Sequence, residues 1–159
     1  MFENFSEGAL KSLLLAQSEA KRYGIKRIGT EEILLGLIGE GAGLAAKTLV
    51  DHGVTLSLAR ATTEGILDYR GEYENNLAIS VRSVLSNFCD SFVEYDFSPK
   101  ARCVLERSAE QARQRSSERV ETEHVLAAIL SEDKCIATQV LESLGIEVHQ
   151  LAEQLKMLK

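Results

Sequence analysis

The sequence predicts an all-α protein of eight helices in two copies of four, and three observations carry that prediction. The stretch from Phe5 to Leu56 aligns without gaps on Phe97 to Val148, at an offset of 92 positions. Thirteen of those 52 pairs are identical, among them Phe5/Phe97, Ser6/Ser98, Leu13/Leu105, Thr30/Thr122, Glu31/Glu123, Glu40/Glu132 and Gly53/Gly145. Unrelated segments would share about three or four, so the chain contains an internal duplication. Apolar residues recur at helical spacing between capping residues and glycines. Strand signals are almost absent; Phe92-Val93-Glu94-Tyr95 is the best short candidate.

Each element follows from its own residues. Ala9, Leu10, Leu13, Leu14, Ala16 and Ala20 define an amphipathic helix over 7–23. Ser6 stands where an N-cap belongs, and Glu7 adds negative charge to the first turn. Gly24 is placed to end that helix in a left-handed conformation. Thr30-Glu31-Glu32 opens a second helix with a capping residue at its front, and Gly39-Glu40-Gly41-Ala42-Gly43 breaks it. A third helix uses Leu44, Ala45, Leu49 and Val50 and stops at His52-Gly53, and a fourth runs from about Thr55 to Leu67. The second copy repeats the scheme. Ser98-Pro99 starts a helix with proline at N1, Thr122-Glu123 starts the next, and residues 135–144 and 147–158 close the chain. The predicted organisation is repeat one over 1–68, an inserted linker over 69–96 and repeat two over 97–159. Within the linker, Leu77 to Leu85 reads equally as a short helix or an edge strand.

Composition narrows the function. Of 159 residues, 45% are apolar, enough for one buried core. A net charge of −6 argues against nucleic acid, whose phosphates need a basic face. The absence of 18 consecutive apolar residues argues against a membrane span. Three widely spaced cysteines, Cys89, Cys103 and Cys135, read as reduced thiols. A cytoplasmic setting is expected, or the plastid stroma for a processed form.

Catalytic chemistry finds little support. No phosphate-cradling G-x-x-x-x-G-K-[ST] occurs, and His52, His124 and His149 lack metal-ligand spacing. Cys103 falls inside an amphipathic helix and reads as a small hydrophobe, while Cys135 stands at a helix start, where a thiol pKa is lowered. No Ser-His-Asp pattern is present, so no enzyme, no metal and no cofactor are expected. What remains is a serine opening the first helix of each copy (Ser6, Ser98) and a Thr-Glu opening the second (Thr30-Glu31, Thr122-Glu123). These are helix caps in one reading. In the other, each copy presents a small polar site, with N–H groups for an anion and a carboxylate for a guanidinium. Two such sites would suit a two-handed contact with a peptide or partner.

The run Ala16-Gln17-x-Glu19-Ala20 through Gly29-Thr30-Glu31-x-Ile33-Leu34-Leu35-Gly36-Leu37-Ile38-x-Glu40-Gly41-x-Gly43-x-Ala45-Ala46-Lys47 closely resembles the double Clp repeat, the N-terminal domain of Clp unfoldases. Met-Phe-Glu-x-Phe at the start is similar to the ClpC type. The second copy matches through Phe97 to Ala101, Glu121 to Leu126 and Val140 to Ile146. The resemblance implies a pseudo-twofold pair of four-helix repeats that docks adaptors and substrates and is not itself catalytic. Some members bind phosphorylated arginine through the Glu of each Gly-Thr-Glu motif, which places Glu31 and Glu123 in that role, with Ser6, Thr30, Ser98 and Thr122 nearby. This chain departs at Glu121, where the motif has Gly, at Ser116-Ser117 and in a long linker. It ends at Lys159 with no ATPase following, so the expectation is a stand-alone accessory similar to ClpT proteins. Its expected partners are a ClpC-type ATPase, the Clp peptidase core, or substrate and adaptor proteins. The alternatives are a free-standing phosphoarginine receptor and the isolated N-domain of a longer unfoldase.

Overall fold

The computed structural model describes residues 2–69 and 96–158. Over these it contains eight helices: α1 (Glu7–Arg22), α2 (Thr30–Glu40), α3 (Leu44–Asp51), α4 (Leu56–Tyr69), α5 (Pro99–Gln114), α6 (Thr122–Leu130), α7 (Ile136–Ser143) and α8 (Val148–Met157). Two two-residue strands, β1 (Arg27–Ile28) and β2 (Asp96–Phe97), pair in parallel. The all-α fold stands, with helix bounds within two residues of those predicted. The Leu77–Leu85 and Phe92–Tyr95 segments and Cys89 lie outside the described residues.

Local chemistry sets the helix ends. Ser6 and Ser98 are N-caps, each accepting a backbone N–H at 3.2 Å, from Ala9 and Ala101 respectively. Gly24 adopts φ +69 after α1, as its position predicts, whereas its counterpart Ser116 is forced to φ +54. Gly41, at φ +77, ends α2, and Gly43 caps α3.

One core runs through both repeats. Nearly every residue of α2 is buried, so this helix is apolar all round and sits at the centre. It packs on α1 in its own repeat and on α5, α6 and α7 of the other; α3 packs on α6, and α4 on α7. At the α1–α2 crossing, a Cβ on Gly36 would lie 2.1 Å from the Ser12 carbonyl oxygen, so only glycine allows this approach.

The strand pairs join the repeats reciprocally. Ile28 stands opposite Phe97 in β1–β2, and Phe5 forms an isolated parallel bridge with Val120, the same pairing shifted through the duplication. Ser98 N–H donates to the Ile28 carbonyl at 2.8 Å, and Ser6 N–H to the Val120 carbonyl at 3.0 Å. The first helix of each repeat is thereby fixed against the residue that precedes the N-cap of the second helix of the other.

Candidate functional site

That exchange rearranges the candidate residues. The sequence grouped Ser6 with Thr30-Glu31 and Ser98 with Thr122-Glu123, one site per copy. The structure places Ser6 beside Thr122-Glu123, and Ser98 beside Thr30-Glu31, because the strand pairs cross between repeats. Each composite site therefore draws on both repeats.

The threonines do not cap their own helices, contrary to expectation. Gly29 and Glu121 hold the N-cap positions of α2 and α6, and Thr30 and Thr122 are the first helical residues. Their hydroxyls reach across the repeat interface. Thr122 Oγ1 accepts from Ala45 N–H in the first turn of α3 at 3.4 Å, and Thr30 Oγ1 accepts from Ala137 N–H in the first turn of α7, also at 3.4 Å. Three helix N-termini thus meet at each site: α1, α6 and α3 at the first, α5, α2 and α7 at the second. Their partial positive charges converge there.

Four of the six candidate residues, Ser6, Thr30, Glu31 and Thr122, are buried, while Ser98 and Glu123 are half-buried. The difference between the two glutamates has a local cause. A Cβ on Gly29 would fall 2.5 Å from Glu31 Oε2, so the missing side chain makes room for that carboxylate to fold inward. The corresponding position before Glu123 is Glu121, whose Cβ fills the space.

Behind each Thr-Glu lies a residue that sequence reasoning did not place in the site. Glu32 is completely buried, and its Oε2 accepts the Gly29 N–H at 2.7 Å. Its counterpart His124 does the same with Nδ1, accepting the Glu121 N–H at 2.9 Å. Glu32 Oε1 has no hydrogen-bond partner among the described residues. Burial, followed by the neighbouring Glu31 charge, raises the Glu32 pKa well above the usual carboxylate range. Burial lowers the His124 pKa. The two helices use the same closure with an acid in one and an imidazole in the other, a substitution visible when the copies are compared at the third helical position.

The sites also differ in charge. At the first, the second residue of α1 is Gly8, and Glu40 Oε2 accepts from Gly43 N–H at 2.6 Å and Ala42 N–H at 3.1 Å. Glu40 Oε1 lies toward Gly8, 3.8 Å from where its Cβ would be. At the second, Lys100 replaces Gly8, and its ammonium donates to the Asp133 and Lys134 carbonyls at 3.1 and 2.8 Å. Glu132, the counterpart of Glu40, is drawn away to Arg107 at 3.1 Å. The first site therefore gathers Glu40, Glu121 and Glu123, while the second has Glu31 as its Thr-Glu carboxylate and a lysine in the first turn of α5.

The cysteines part company: Cys135 is buried at the N-cap of α7, and Cys103, read as a small hydrophobe, instead faces solvent on α5. Among the described residues no group of three acidic, histidine or cysteine side chains could hold a metal, and no single helix is long and apolar enough to cross a membrane.

Comparison with known proteins identifies the family. The family model for the Clp repeat (R) N-terminal domain matches residues 4–83 and 96–158. The chloroplastic chaperone protein ClpC1 of Oryza sativa subsp. japonica is 44% identical over 97% of this chain and 15% of its own length. The ClpA-homologue ATP-binding subunit of Porphyra purpurea is 42% identical over 99% of the chain and 17% of its length. The chain thus spans under a fifth of these relatives. Among solved structures, the N-terminal domain of ClpD from Arabidopsis thaliana superposes with a TM-score of 0.69 at 22% identity, covering 99% of this chain and 98% of that one. The Hsp104 N-terminal domain of Candida albicans gives 0.64 at 21%, covering 96% and 89%.

Proposed function

Since the chain belongs to the Clp repeat (R) N-terminal domain family, we propose that it is a non-catalytic recognition module of the Clp proteolytic system. It binds ClpC-type ATPase or Clp peptidase subunits, or presents substrate and adaptor proteins to them, through the two composite sites. The observation that supports this reading most is the reciprocal placement of Ser6 with Thr122-Glu123 and of Ser98 with Thr30-Glu31. The fold brings a carboxylate and converging helix N-termini together twice, with each pair held rigid by the repeat interface. The same sites serve a separate accessory protein or the N-domain of a longer ClpC-type unfoldase. A plastid setting accords with the chloroplastic relatives.

A second reading, reception of phosphorylated arginine, is favoured by one feature. At the second site Lys100 and the first turn of α5 suit a phosphoryl group, and Glu31 suits a guanidinium. The first site, with Glu40, Glu121 and Glu123 and no lysine at position 8, disfavours an anion. Titration with a phosphoarginine peptide should therefore saturate at one equivalent and weaken at least tenfold with Glu31→Ala. Two equal sites, or binding indifferent to Glu31, would refute this assignment.

A further inference from the structure

The turn between α7 and α8 carries two glutamates that the fold does not require. Glu142 lies in the last turn of α7, where the negative end of the helix dipole disfavours a carboxylate. Glu147 is the N-cap of α8 and makes no side-chain capping bond. Repeat one builds the same turn without acids. Val50 stands where repeat two has Glu142, and Thr55 where it has Glu147. Thr55 Oγ1 accepts the Leu58 N–H at 3.3 Å, the capping bond that Glu147 forgoes. The rest of the frame is shared: Gly53 and Gly145 adopt φ +80 and +81, and Val54 and Ile146 are both buried beneath. Glu142 therefore opposes the dipole of the helix it ends, while Glu147, whose charge suits a helix N-terminus, leaves the capping bond unmade. Departures of this kind from local preference concentrate at functional surfaces.

Neither carboxylate has an ion-pair partner among the described residues. They stand over an open groove of about 630 Å³ that Leu130, Ile146, Val148, His149 and Ala152 also line. That volume falls within the range of binding pockets, roughly 300–1,000 Å³. An apolar floor under unpaired acids is complementary to one kind of chain segment, an apolar side chain flanked by lysine or arginine. The groove uses the ends of α6 and α7 opposite to those that build the composite sites.

We propose that this groove docks a basic, leucine-bearing segment of a partner protein. The segment's leucine covers the Leu130–Ala152 floor while its cationic neighbours meet Glu142 and Glu147. Fluorescence anisotropy with a short labelled peptide that alternates leucine with lysine tests it. Binding should saturate and should weaken at least tenfold in the double variant Glu142→Val, Glu147→Thr, which carries the residues of repeat one. That variant should melt at or above the temperature of the parent protein, so a loss of binding reports the groove and not unfolding. Glu31→Ala with Glu123→Ala should leave this peptide's affinity unchanged, which separates the groove from the composite sites. The proposal is overturned if binding does not saturate, or if reversing Glu106 and Glu110, exposed acids on α5, weakens it equally. It is also overturned if sedimentation shows a dimer that the double variant dissolves, for then a second copy covers the groove.

Discussion

Glu32 and His124 occupy the same structural position and oppose each other in their response to pH. The Glu32 pKa is raised in the fold, so above about pH 4.5, the ordinary value, the unfolded chain ionises first. Stability contributed by the neutral acid is then lost as pH rises toward the folded value. The His124 pKa is lowered from 6.5, so its contribution is lost as pH falls below that value, where the unfolded chain takes up the proton. Glu32→Gln keeps an acceptor for Gly29 and removes the titration. Its melting temperature should gain on that of the parent protein as pH rises from 5 to 8, whereas parallel curves would show that Glu32 is ionised in the fold. At Ser116 a left-handed residue with a side chain replaces the glycine of repeat one. Ser116→Gly relieves a penalty of about 1 kcal/mol and should raise stability in urea unfolding by up to that amount, with no change expected only if the φ of +54 is not adopted in solution.

At the scale of the helix, the decisive contacts are those that a linear reading does not reach. Ser6 and Ser98 cap the helices they precede, and such i to i+3 bonds are legible in sequence. Thr30 and Thr122 have the same composition signal, yet their hydroxyls cap helices 107 and 77 residues away. Nothing local distinguishes a threonine that caps its own helix from one that caps a distant one; the strand crossing between repeats decides. Thr30→Val should cost roughly 1 kcal/mol, the usual worth of a cap, and should speed hydrogen exchange at the Ala137 amide. An unaltered Ala137 amide would remove the cross-repeat cap. Gly36 is the second case, since its need for glycine arises only where α1 crosses α2. Gly36→Ala places a Cβ 2.1 Å from the Ser12 carbonyl, so it should lower stability by at least the 1–3 kcal/mol of an overpacked core, despite alanine's better helix propensity. A neutral outcome would show the crossing to be looser than described.

Over the whole molecule, the duplication made the helix order and the fold class readable, because apolar spacing and end signals repeat in both copies. It also misled about the candidate residues, because self-similarity suggested one small polar site within each copy. The candidate residues instead group across the copies, and α2 is buried by helices of both repeats. Residues 2–69 expressed alone should therefore show no cooperative thermal transition, whereas a sharp independent melt would show that repeat one holds a core of its own. The central claim is recognition of the Clp system through sites that span both repeats. Its most direct test is gentle affinity capture from native lysate with the parent protein and with Glu31→Ala, Glu123→Ala, followed by identification of what is retained. The account predicts Clp ATPase or peptidase subunits with the parent protein and their loss with the double variant. An eluate without Clp subunits, or one identical for both proteins, would contradict it.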